Sequence, residues 1–217
     1  MSATQGRGLI RGLYAVTPDD LDTPRLIELT AAALGGGARV VQYRNKRGDS
    51  AAMLAQAHAL KTLCAAHGAT LIVNDHIDLA LAVDADGEHL GKDDGSCAEA
   101  REIVGPDMIL GISCYDSLDA ARAAASNGAD YVAFGSFFPS PVKPGAVRPP
   151  LDLLTRAKAE LAVPIVAIGG ITAANAGQLA RAGADAIAVI TALFDAHDVS
   201  AAAKQLIASF ESRHEPK

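Results

Sequence analysis

The sequence predicts one α/β domain over residues 1–217, a (β/α)8 TIM barrel. Eight short apolar runs alternate with eight stretches of helical periodicity, the order of a parallel sheet wrapped in helices. A Gly-Ala pair stands just before three of those runs, in GGARVV, NGADYVAFG and AGADAIAV, as the αβ turn of a repeated unit. No linker or change of composition divides the chain. An open doubly wound sheet is the alternative, but it rarely needs eight units this short.

The elements follow in order. After a tail to about Arg11, LYAVTP (13–18) is a buried strand closed by Pro18. Thr23 or Asp22 caps the next helix, with Pro24 at its first position, and Gly35 to Gly37 stop it. RVVQYR (39–44) is the second strand, and 50–67 is a helix with an apolar stripe through Met53, Leu54, Ala57, Leu60 and Leu63. TLIVND (70–75) is the third strand, a brief helix covers 77–83, and EHLG (88–91) is the fourth strand, placed by its neighbours rather than by propensity. A helix over 96–104 leads to MILGISC (108–114), Ser117 caps a helix ending near Gly128, and YVAFG (131–135) is the sixth strand. The stretch 136–150 carries five prolines and reads as a lid or binding loop. Helix 151–161, strand PIVAIGG (164–170), a Thr172-capped helix halting at Gly183, strand AIAVIT (186–191) and a helix over 199–210 complete the chain, with a second tail from 211.

The totals exclude several classes. A net charge of −6 without a basic stripe argues against nucleic acid as a partner. No apolar window is long enough for a membrane span, and MSATQGRGLIRG lacks the apolar core of a secretory signal. Cys64, Cys97 and Cys114 are scattered, giving neither a disulfide framework nor a zinc spacing, so the cytoplasm is the expected compartment. The sequence leaves a homo-oligomer open.

In such a barrel, reactive groups come from the carboxyl ends of the strands. Strand two ends in Gln42, Arg44 and Lys46, whose period-two spacing points them to one side. A strand ending at Gln42 with two solvated cations is the plain reading; a clamp for a polyanion is the functional one. Strands three and four end in Asn74 and Asp75 and in Asp93 and Asp94. Singly, each acid suits a helix cap, but two carboxylates brought together repel unless a proton or cation sits between them. Mg2+ suits such a pair better than Zn2+, being content with one or two carboxylates, water and substrate phosphate oxygens. His89 is the nearest histidine, and alone in a strand it reads as a hydrogen-bonded core residue. AIGGIT (167–172) places two glycines between a strand and a capped helix, which is either a tight turn or a backbone phosphate site. Ser113, Ser140, Lys143, Ile190 and Thr191 complete the expected rim. No nucleophile triad and no dinucleotide fingerprint is present.

These residues carry a resemblance. QYRNK (42–46), LIVNDHIDLALAVDADGEHLGKDD (71–94), GISC, FFPSPVKPGA, AIGGI and AVITAL together, in order and along nearly the whole chain, resemble the thiamine phosphate synthase family. The resemblance implies a (β/α)8 barrel that joins 4-amino-5-hydroxymethyl-2-methylpyrimidine diphosphate to 4-methyl-5-(2-phosphoethyl)thiazole with Mg2+ as cofactor. It implies that Gln42, Arg44, Lys46, Asn74, Ser113 and Lys143 contact the pyrimidine diphosphate, with Tyr43 and Asn45 counted in the same binding motif. Asp75 and Asp94 would hold the metal. Ser140, Pro141, Val142, Gly170, Ile190 and Thr191 would line the thiazole phosphate site, and Lys143, Arg44 and Ser113 would carry catalysis. Ser140 and Val142 stand where the family usually has threonine or serine, Lys92 where glutamine is common, and Thr191 where serine is usual. The rivals are a thiazole tautomerase, for which a histidine rather than Ser136 would follow Gly135, a sugar-phosphate isomerase or epimerase, and a silent phosphate-binding barrel.

Overall fold

The computed structural model describes residues 9–91, 94–140, 145 and 147–212. Eight parallel strands close into a barrel in sequence order: β1 (Gly12–Val16), β2 (Val40–Tyr43), β3 (Thr70–Asn74), β4 (Gly87–Leu90), β5 (Ile109–Tyr115), β6 (Tyr131–Phe134), β7 (Ile165–Ile168) and β8 (Ala186–Val189). Closure is explicit in the register, because β1 pairs Tyr14 with Val40 of β2 and Gly12 with Ala186 of β8. Around them run α1 (Thr23–Gly35), α2 (Ser50–Ala66), α3 (Ile77–Ala82), α4 (Cys97–Val104), α5 (Leu118–Ser126), α6 (Asp152–Glu160), α7 (Ala173–Ala182), α8 (Thr191–Phe194) and α9 (Val199–Glu211).

The expected alternation is met and the ends are refined. Asp22, not Thr23, caps α1, its carboxylate accepting from Arg25 N at 2.8 Å. Ser96 caps α4 in a reciprocal box with Glu99, which leaves Asp94 free of that duty. β2 stops at Tyr43 because Arg44 leaves the ladder and bonds, through both its N–H and its C=O, to the Thr17 hydroxyl. The eighth strand stops at Val189 rather than running through Thr191, and a short extra helix that sequence reading missed, α8, starts there.

Alternation along the strands divides two cores. Tyr14, Val16, Val40, Ile72, Ile109, Tyr131 and Val166 fill the barrel interior. Leu13, Val41, Leu71, Val73, Leu110, Val132, Ile165 and Ile187 face outward and are buried under the helices, where each large aliphatic side chain contributes about 1.5–3 kcal/mol. Gly111 makes room for an aromatic inside: a Cβ there would collide with the Tyr131 ring.

At the amino-terminal end, one device recurs three times. Asp86, Asp130 and Asp185 each precede an even-numbered strand. Each accepts from a backbone N–H of the odd strand before it, Leu71 at 2.8 Å, Leu110 at 3.0 Å and Ile165 at 2.9 Å. Each also pairs with a cation on an earlier helix, Lys61 at 2.7 Å, Arg101 at 2.6 Å and Lys158 at 2.7 Å. Bonds of this kind at the base serve stability and leave the opposite face to chemistry. Among the described residues no helix is long and apolar enough to cross a membrane.

Candidate active site

A cavity of about 670 Å³ opens at the carboxyl ends of the strands and draws its walls from all eight of them. One wall is charged. Arg44 Nη1 pairs with Asp19 Oδ2 at 2.6 Å, and the other oxygen of Asp19 accepts from Lys46 N at 3.0 Å, so a single carboxylate sets the path of the two cationic residues. Lys46 Nζ lies 3.8 Å from Asp75 Oδ2. Asp75 adopts φ +65°, its N–H donating to the His89 carbonyl at 3.0 Å, and this turn aims its carboxyl at Asp94. Asp94 is held in turn by Gly91 N–H, 2.9 Å from Oδ2.

Burial raises the Asp75 pKa most; a hydrogen bond to Asp94 and the Asp94 charge raise it further, and Lys46 opposes them. Two carboxyls driven to share a proton have the chemistry of a pair short of a cation. Among the described residues no three His, Cys, Asp or Glu side chains gather as a metal cage. The pair therefore fits an ion that takes few protein ligands and completes its shell with water and substrate oxygens, which is the habit of Mg2+.

Behind the pair lies a third acid. Glu88 is fully buried on the outward side of β4, and neither carboxyl oxygen makes a well-formed hydrogen bond among the described residues, although the His76 N–H is close enough to lower its pKa somewhat. Burial first, then the charges of Asp75, Asp78 and Asp94, push that pKa up to about 9.

The floor of the cavity is a chain of polar side chains from five strands. Gln42 Nε2 donates to Tyr14 Oη at 3.0 Å, Tyr14 and Tyr131 share a bond at 2.8 Å, and His89 joins Tyr131 at 2.9 Å through Nδ1 and Ser113 at 2.9 Å through Nε2. Burial raises the pKa of both phenols well above their ordinary value, so they stay protonated.

The opposite wall is backbone. Gly169 and Gly170 have φ +101° and +62°, and a Cβ on Gly169 would collide with Ser136 Oγ. Gly169 O accepts from Phe138 N at 3.1 Å, and Gly170 O accepts from Asn175 Nδ2 at 3.0 Å. Among the described residues the N–H groups of Gly170 and Thr191 donate to nothing. Loops after strands seven and eight with a short extra helix are the usual phosphate site of this barrel, and α8 supplies that helix.

Of the residues expected from sequence, Gln42, Arg44, Lys46, Asn74, Asp75, Asp94, Ser113, Ser140, Gly170, Ile190 and Thr191 line this one cavity. Two do not line it. Tyr43 points outward, its hydroxyl donating to Gln56 Oε1 at 2.7 Å, and Asn45 bonds to the same Gln56 and to the N–H groups of Arg47 and Gly48. Period-two alternation puts both on the helix side of β2. Pro141, Val142, Lys143, Lys92 and Asp93 lie outside the described residues. Sequence reading missed Tyr14, Tyr131 and Asp19. The alternation of β1 and β6 was signal enough for the tyrosines, but no local pattern ties Asp19 to a residue 25 positions away.

Residues 13–193 match the family model described as thiamine monophosphate synthase. The chain belongs to the thiamine monophosphate synthase family. A thiamine-phosphate synthase of Chromobacterium violaceum is 56% identical over 204 residues, covering 94% of this chain and 98% of that protein. One of Thiobacillus denitrificans is also 56% identical over 204 residues, covering 94% and 97%. Among solved structures, thiamine phosphate pyrophosphorylase from Pyrococcus furiosus superposes with a TM-score of 0.84 at 36% identity, covering 96% of this chain and 98% of that one. Family membership thus spans the charged wall, the floor and the backbone wall together.

Proposed function

We propose that the chain is a thiamine phosphate synthase, joining 4-amino-5-hydroxymethyl-2-methylpyrimidine diphosphate to 4-methyl-5-(2-phosphoethyl)thiazole and releasing diphosphate. The observation that carries the reading is the meeting, in one cavity of a family member, of a carboxyl pair beside two cations on one wall and a backbone anion site on the other. Two phosphorylated substrates held face to face need that division.

In this reading, Arg44 and Lys46 receive the diphosphate, Arg44 as a fork and Lys46 as a point charge. Lys143 joins them on the strength of the family resemblance. Asp75 and Asp94 are the residues that would hold Mg2+, which when bound supplies charge neutralisation to the leaving diphosphate. Gly170, Ile190 and Thr191, with Ser140, would hold the thiazole phosphate. The bond between the pyrimidine methylene carbon and the diphosphate oxygen breaks, its electron pair leaving with the diphosphate, and the aminopyrimidine stabilises the positive carbon. The thiazole nitrogen then donates its lone pair to that carbon. Catalysis is leaving-group stabilisation and positioning, with no protein nucleophile. Ser136 fits no acid–base role in a tautomerase, since its hydroxyl is engaged by the Phe138 carbonyl at 2.9 Å.

A cytoplasmic enzyme is part of the proposal, supported by the acidic charge of −6 and by Cys64, Cys97 and Cys114 all being free. The test is incubation of purified protein with both substrates and Mg2+. Coupled release of diphosphate and thiamine phosphate is expected; isomerised thiazole, or binding without turnover, would refute the reading.

A further inference from the structure

The five-residue chain on the cavity floor has a sense of direction. Gln42 Nε2 donates to the Tyr14 oxygen, so the Tyr14 hydrogen goes to Tyr131, and the Tyr131 hydrogen goes to His89 Nδ1. A neutral imidazole that accepts at Nδ1 carries its proton on Nε2, and that proton goes to Ser113 Oγ. The Ser113 hydrogen is then left to point into the cavity. At the other end, Gln42 Oε1 accepts nothing among the described residues and faces the same space. With His89 neutral, the only other arrangement that makes every bond and gives each tyrosine hydrogen an acceptor is the complete reversal, in which Gln42 offers N–H groups and Ser113 a lone pair. Any mixed sense makes one tyrosine oxygen accept twice and leaves its own hydrogen without an acceptor in a buried place, which costs about 1–3 kcal/mol. Polarity is thus all-or-none along the chain, and Tyr14, Tyr131 and His89 are at most 7% exposed. The Tyr131 ring stacks on His89 with centroids 5.5 Å apart, in space that a side chain at Gly111 would fill.

We propose that Tyr14, Tyr131 and His89 are positioning residues that form a polarised relay, making Gln42 an acceptor and Ser113 a donor together and so fixing which way round an aminopyrimidine ring can bind. The ring offers the converse set, amino N–H donors beside ring-nitrogen acceptors. This rests on the synthase reading for the identity of the ring, while the relay itself is a property of the protein.

The test is nuclear magnetic resonance of the full chain labelled with 15N-histidine, at pH 8, with the His89 signals identified by their loss in His89→Asn. The wild type is expected to show His89 neutral with the proton on Nε2. In Gln42→Glu the carboxylate can only accept, so the whole chain reverses and the proton moves to Nδ1. In Gln42→Glu combined with Tyr131→Phe the link is cut, and His89 shows the same tautomer mixture as in Tyr131→Phe alone, unmoved by Gln42→Glu. A wild-type His89 protonated on Nδ1 or on both nitrogens overturns the relay, as does a tautomer that ignores Gln42→Glu. Should Gln42→Glu fail to fold, Tyr131→Phe alone decides: a mixture of tautomers is expected, and an unchanged single Nε2 form overturns the proposal. In kinetics, Tyr131→Phe is expected to raise KM for the pyrimidine diphosphate about tenfold, the worth of one hydrogen bond, with KM for the thiazole phosphate unchanged; equal rises in both count against it. A wild type that turns over with an uncoupled His89 refutes the relay alone. A wild type with a coupled His89 and no turnover refutes the synthase reading alone.

Discussion

Glu88 gives the sharpest quantitative prediction. Its carboxyl holds a proton in the folded chain up to about pH 9, against an ordinary value of 4.5, because burial and the acids at Asp75, Asp78 and Asp94 oppose its ionisation. In the unfolded chain the same group has lost its proton by pH 6. Between those two values the folded state therefore binds one more proton than the unfolded state, and stability falls as pH rises, by about 1.4 kcal/mol per unit. The whole window sets an upper bound of roughly 6 kcal/mol, and the step from pH 6 to pH 8 is worth about 3 kcal/mol. Glu88→Gln keeps the shape and cannot ionise, so it removes this contribution while leaving that of Asp75 in place. Urea unfolding of both proteins at pH 6, 7 and 8 measures it as a difference of slopes, with the variant gaining on the wild type by about 1.4 kcal/mol for each unit. Parallel curves would refute the reasoning and mean that Glu88 is ionised and solvated in the native protein.

Three further outcomes follow from other parts of the molecule. Asp75→Ala and Lys143→Ala are each expected to lower turnover by about a hundredfold or more with unchanged circular dichroism; near-normal rates at saturating Mg2+ in both variants would count against the leaving-group scheme. Gly169→Ala forces a side chain onto a residue at φ +101° and against Ser136, so loss of thiazole phosphate binding in calorimetry is expected, with the pyrimidine diphosphate still bound. Arg101→Ala breaks the ion pair of Asp130, which is 3% exposed, and a loss of about 3–5 kcal/mol in urea unfolding is expected; a loss under about 1 kcal/mol would mean that water reaches Asp130.

Most of the site was legible because two periodicities did the sorting. A strand period of two assigned Gln42, Arg44 and Lys46 to the inside, and the same rule, applied without the family motif, would have removed Tyr43 and Asn45. The order of the β/α units brought Asp75 and Asp94 together, since successive strands in a closed barrel are neighbours. What escaped the sequence depended on distance across the barrel. Tyr14 and Tyr131 meet 117 positions apart, and Thr17 and Asp19 arrange the end of β2 from the loop after β1. His89 was read as a hydrogen-bonded core residue, which is correct as far as it goes, but only the coordinates reveal that both its nitrogens serve the cavity. The end of β8 was misjudged because Ile190 and Thr191 have strand-like side chains, while the backbone turns into a short helix whose start lines the cavity.

The three aspartates at the base have a consequence for the rim. Each stitches a run of chain into a closed circuit, 61–86, 101–130 and 158–185, and these circuits contain the mouths of β3, β5 and β7 with Asp75, Ser113 and Gly170. The mouths of β4 and β6, with Asp94 and the Ser136–Ser140 turn, fall in the intervals between circuits. A bound molecule thus meets anchored and yielding quadrants by turns, so the rim can adjust around it while the foundation stays fixed.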